Sequence, residues 1–81
     1  MNRTCEIKAD WDAEAGVWVA ESQDVPGLVA EAESLSVLAQ KLRILVPELL
    51  ELNGALAPGE KVVKLLIRAH HEETTEVAVA P

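Results

Sequence analysis

Leucine recurs at spacings of three and four between residues 35 and 52: Leu35, Leu38, Leu42, Leu45, Leu49 and Leu52. That period predicts an amphipathic helix over 35–52. Ala39, Val46 and Leu50 widen its apolar stripe, and Gln40, Lys41, Arg43, Glu48 and Glu51 fall off it. Ser34 suits the N-cap, and Asn53-Gly54 suits the end, where glycine accepts left-handed geometry. Pro47 removes one backbone donor and presses on the carbonyl of Arg43, so a bend is expected there. The repeat is too short to stand alone as a coiled coil, so the helix needs a sheet to lie on.

The flanking sequence supplies one. Cys5, Ile7, Ala9 and Trp11 alternate with Glu6, Lys8 and Asp10, the period of a half-buried strand. Asp12 to Gly16 reads as a short hairpin loop. Val17 to Ser22 forms a second strand, with Val17 and Val19 on one face and Trp18 and Ala20 on the other. Pro26 fixes its own φ and has no N–H, so it cannot sit in a central ladder. Val25-Pro26-Gly27-Leu28 fits a type II turn, with Asp24 placed to accept from turn amides. A short third strand, 28–32, follows. After the helix, 55–60 is a connector and Lys61 to Ala69 alternates as a further strand. Thr74 to Ala80 alternates again, either as a last edge strand, within the chain or donated to a neighbouring subunit, or as a frayed tail.

The order strand, strand, strand, helix, strand specifies an α+β fold: a mostly antiparallel sheet with one helix on one face. The 81 residues suffice for a single domain, spanning 1–81, with 72–81 as edge strand or flexible tail. So small a domain buries only about 60 % of its unfolded surface, and oligomerisation is one remedy. With no Phe or Tyr, the core must be aliphatic.

Fourteen acids against seven bases give a net charge of −7. That balance disfavours direct nucleic-acid binding and attracts basic proteins, although a negative surface also simply keeps a small protein soluble. The single cysteine, Cys5, reads as a small buried apolar residue in a reducing compartment, so a cytoplasmic location is expected. The N-terminus has no signal-peptide core and no apolar run is long enough to span a membrane.

Three stretches carry a family resemblance: ADWDAEAGVWVAES, the DVPGL turn, and EAESLSVLAQKLRILVPELLE. Together they resemble the HicB-like antitoxin family over about Ile7 to Asn53, closest to a branch of small stand-alone bacterial and archaeal proteins without assigned function. The resemblance implies a partial ribonuclease-H-like fold lacking catalytic acids. It further implies binding to HicA, a small basic RNA-cleaving toxin. Many members also carry a C-terminal DNA-binding domain. Here no such module is expected after the last strand, so autoregulation by this chain alone is not expected.

No catalytic set emerges from the residues. Asp10, Asp12, Glu14, Glu21 and Asp24 cluster in sequence, but their spacing matches no metal loop and no His or Lys partners them as an acid/base pair; solvated strand-edge charges explain them better. Adjacent strand residues such as His70 and His71 face opposite ways and cannot readily chelate one ion, though His70 could form a pH-dependent interface contact. Cys5 has no neighbour to activate it. No cofactor is expected.

One helix covers one sheet face only. Apolar groups on both faces of strands two and four would then leave the reverse face seeking a partner. Trp18 is either a core residue or, if opposite the helix, an anchor for that partner. The candidate partner-binding residues are Trp18, Asp24, Leu66, Arg68 and His70. The expected role is a non-catalytic protein-binding module, homodimeric or higher, with a basic HicA-like toxin as partner. The alternatives are a small-ligand or metal-binding domain and a purely structural homo-oligomer.

Overall fold

The computed structural model describes residues 3–80. Its elements are β1 (Arg3–Asp12), β2 (Val17–Glu21), β3 (Ala30–Ala32), α1 (Leu35–Leu52) and β4 (Val63–His70). The sheet order is β3-β2-β1-β4. Two of its pairings, β1 with β2 and β2 with β3, are antiparallel; β1 and β4 run parallel. The parallel pair follows from the chain path, because α1 carries the chain back along the sheet before β4 begins.

The helix occupies the expected span. The Ser34 side chain accepts the N–H of Val37 at 3.2 Å. At the other end Ala55 N–H donates to Leu50 O and Gly54 N–H to Glu51 O, with Gly54 at φ +63°. These two bonds form a Schellman motif, which satisfies carbonyls the helix would leave unpaired. The buried row is Leu38, Leu42, Val46 and Leu50, a pure spacing of four. The stripe is thus centred partly on residues expected only to widen it, and Leu52 lies 82 % exposed.

α1 packs over β2 and β3. Beneath it lie Cys5, Ile7 and Ala9 of β1, Ala20 of β2, and Ala30 and Ala32 of β3, all buried. Val25 and Leu28, at the two ends of the Pro-Gly turn, are buried in the same core. Leu28 N–H donates to Val25 O at 3.2 Å, and Gly27 has φ +81°, as the third residue of a type II turn requires. Asn53 Nδ2 donates to Pro26 O at 3.0 Å and ties the helix end to this turn.

The hairpin between β1 and β2 is closed by Asp12. Its Oδ1 accepts the N–H groups of Glu14 and Ala15, and its carbonyl accepts Gly16 N–H at 2.8 Å. The resulting register sets Trp11 opposite Trp18. Opposite residues share a face, so Trp18 lies on the helix side with Trp11 and Ala9. It does not face the reverse side.

The expectation of a greasy reverse face fails for the same reason. That face carries Glu6, Lys8 and Asp10 from β1, Glu31 from β3, and Lys64, Arg68 and His70 from β4, with the neighbours Val17 and Val19 of β2 and the separate Leu66 of β4 among them. Residues 71–80 form no strand within the described chain, and all are exposed.

Candidate functional site

Two concave surfaces flank β1. The first, on the reverse face, is an acidic cleft of about 450 Å³ walled by Glu6, Lys8, Glu21, Ser22, Gln23 and Asp24. Its shape comes from the end of β2. Lys8 pairs with Glu21, the last residue of that strand, so Glu6 has no backbone partner there. Side chains take over. Asp24 Oδ2 accepts Glu6 N–H at 2.7 Å, and Ser22 Oγ donates to Glu6 O at 2.6 Å. Ser22 Oγ also accepts Asp24 N–H at 3.1 Å. Asp24 therefore caps β1; the turn amides expected as its donors are not its partners.

The Glu6 carboxylate pairs with Arg68 Nε across the parallel strands. Lys8 approaches Asp10 at 3.9 Å. Both pairs are solvent-exposed, where each contributes little to stability. Glu21 is exposed and joins no ion pair among the described residues. The cleft thus presents free carboxylate charge at one end of β1.

The second surface is an apolar groove of about 540 Å³ on the helix side. It opens because α1 sits over β2 and β3 and leaves β4 at the margin. Val46, Pro47 and Leu50 of the helix face Val63, Leu65 and Ile67 of β4 across it, with Arg43 and Lys61 at its rim. Glu60 of its lining is held by Arg3, whose Nη2 donates to Glu60 Oε1 at 2.9 Å and to Ala55 O at 3.1 Å.

The five residues singled out from sequence do not form one site. Asp24 lies at the acidic cleft. Leu66, Arg68 and His70 share the reverse face of β4, where His70 Nε2 stands 3.4 Å from Glu72. Trp18 is on the other side, packed against the core. There it meets Trp11 edge-on, with centroids 5.5 Å apart, and both rings contact His71. His70 and His71 do point to opposite faces. The His71 contact was not legible, because it joins the chain's last extended segment to its first hairpin.

Among the described residues no group of three or more His, Cys, Asp or Glu side chains could hold a metal ion. Their one helix is not long and apolar enough to cross a membrane. Burial pushes the Cys5 thiol above its ordinary pKa, with Asp24 and Glu60 adding to the shift and Arg3 opposing it. A buried thiol held protonated is a poor nucleophile.

Residues 4–79 match the model of a family described as a domain of unknown function, DUF1902. The chain belongs to this family. The likeness extends to three dimensions. The crystal structure of a hypothetical protein, TTHA1013, from the extremely thermophilic bacterium Thermus thermophilus is 51% identical in sequence. The match has a TM-score of 0.77 and covers 90% of this chain and 100% of that one. No curated protein gives a significant match. Neither the description of DUF1902 nor the name of the Thermus protein assigns a reaction.

Proposed function

We propose that this DUF1902 domain is a non-catalytic protein-binding module of the HicB type, and that its partner is a small basic protein resembling the HicA toxin. The observation that carries the reading is the acidic cleft on the reverse face. Glu6, Glu21 and Asp24 converge there on a chain of net charge −7. A field of this sign accelerates encounter with a basic partner and rejects phosphate backbones. The Glu6 carboxylate holds Arg68 and that of Asp24 holds a backbone N–H, while Glu21 stays exposed to solvent. That arrangement suits a recognition surface, in which charge orients a partner and turns over no substrate.

Co-expression tests the reading. The tagged chain is produced with the small basic protein encoded beside its own gene, and the complex is followed through size exclusion. Co-elution that is lost in Glu21→Lys is the expected result. A wild-type chain that passes through alone overturns the proposal, as does the lack of any small basic reading frame beside the gene.

A further inference from the structure

β4 is an edge strand. It pairs with β1 on one side, and its other edge has no strand among the described residues. An open edge is a row of unpaired N–H and C=O groups that can template another strand. Beyond it the chain continues extended. The His70–Glu72 contact on one face and the His71–Trp11 stack on the other carry the strand alternation past the end of β4. Val77 and Val79 then stand 77 % and 91 % exposed. The longest dimension is 68 Å against 24 and 19 Å, and the radius of gyration is 16.5 Å, where a compact chain of this length measures roughly 12 Å.

The two segments are complementary in charge. Residues 61–69 contain Lys61, Lys64 and Arg68 and no acid; residues 72–80 contain Glu72, Glu73 and Glu76 and no base. They do not suit a hairpin within one chain. Residues 70–76, His-His-Glu-Glu-Thr-Thr-Glu, hold no Gly, Pro, Asn or Asp to form a turn. A two-residue loop at 71–72 would also set Val77 opposite Leu66, on the charged face, and a shift of one residue exchanges every side chain between faces.

We infer that the segment 72–80 of one chain pairs antiparallel along the free β4 edge of a second copy, reciprocally, about a two-fold axis near His71. Two antiparallel strands of residues 63–80 then run side by side. In the register with His71 opposite its own counterpart, Val63 faces the second copy's Val79, Leu65 its Val77 and Ile67 its Thr75. All lie on the helix side, so the tail extends the apolar wall of the groove. On the reverse face Arg68 stands diagonally between the second copy's Glu72 and Glu76. Such cross-strand pairs are the units of sheet stabilisation. The exchange is isologous and closes at two chains, so it uses up the edge without growing a fibre. It is independent of any basic partner at the acidic cleft.

The test uses the full chain in light scattering coupled to size exclusion. The wild type is expected at twice the monomer mass, and Val77→Pro at the monomer mass with the helical circular dichroism of α1 retained, since this residue is largely exposed within its own chain. A second variant, Leu65→Cys with Val77→Cys on a Cys5→Ala background, is expected to cross-link into covalent dimers on oxidation. A monomeric wild type, or a Val77→Pro chain that keeps the dimer mass, overturns the exchange. Preferential cross-linking of Leu66→Cys with Val77→Cys overturns the register.

Discussion

Asp24 accepts the backbone N–H of Glu6 at 2.7 Å from eighteen positions further along the chain, and so continues with a side chain the ladder that β2 abandons at Glu21. Ser22 answers for the Glu6 carbonyl. A segment that cannot pair because Pro26 lies just ahead thus still satisfies the strand beside it.

Removing that cap should be measurable. A charge-assisted bond to a backbone amide is worth about 1.5–3 kcal/mol, less when exposed. Asp24→Ala is expected to cost about 1–2 kcal/mol in urea unfolding, and Asp24→Asn less, because its amide oxygen can still accept. An Asp24→Ala chain as stable as wild type would show that water replaces the carboxylate without loss.

Gly27 holds φ +81° in the turn that follows. A Cβ there would meet Leu49 Cδ2 at 3.9 Å, an ordinary contact, so the cost of substitution is backbone strain. Gly27→Ala is expected to lose about 1–2 kcal/mol, read as a fall in Tm of about 4–8 °C per kcal/mol for a domain of this size. An unchanged Tm would mean that the turn relaxes to another type.

Along α1 the core should discriminate sharply between neighbours. Leu42 is fully buried, whereas Ile44 is 64 % exposed. Leu42→Ala is expected to cost about 2–5 kcal/mol, a large share of the stability of so small a domain. Ile44→Ala should stay within about 0.5 kcal/mol of wild type. Equal losses at the two positions in thermal unfolding would refute the packing described.

Cys5 gives a pH dependence of known sign. Its folded pKa is raised, chiefly by burial. The unfolded thiol therefore ionises first, and the Cys5 contribution to stability is flat at lower pH and is lost as pH rises above about 8.5. Urea titrations across this range should show a steeper alkaline decline in wild type than in Cys5→Ala. Parallel curves would place the thiol in water.

The helix was legible to its ends because the leucine period, the Ser34 cap and Asn53-Gly54 all act locally. The alternation of β1 and the Val25–Leu28 turn were legible for the same reason. The face of Trp18 was not. β2 carries apolar groups on both sides, and only the register set by the Asp12 loop, pairing Trp11 with Trp18, decides between them. The charged reverse face then follows, as does the half-covered β4: no local pattern records that α1 lies toward β3. Of the acids that cluster in sequence only Glu21 and Asp24 line the acidic cleft, and the role of Asp24 depends on Glu6, far from it in sequence.

The parallel pairing of β1 with β4 has a consequence for biosynthesis. β1, an inner strand of the sheet, leaves the ribosome before the sheet's other strands, and one of its two neighbours, β4, follows them all. Until Val63–His70 emerges, Cys5 and Ile7 can be flanked only from the β2 side, where the ladder already fails at Glu6. The nascent domain must therefore wait, with its central rung half bare, until the fourth strand follows the helix.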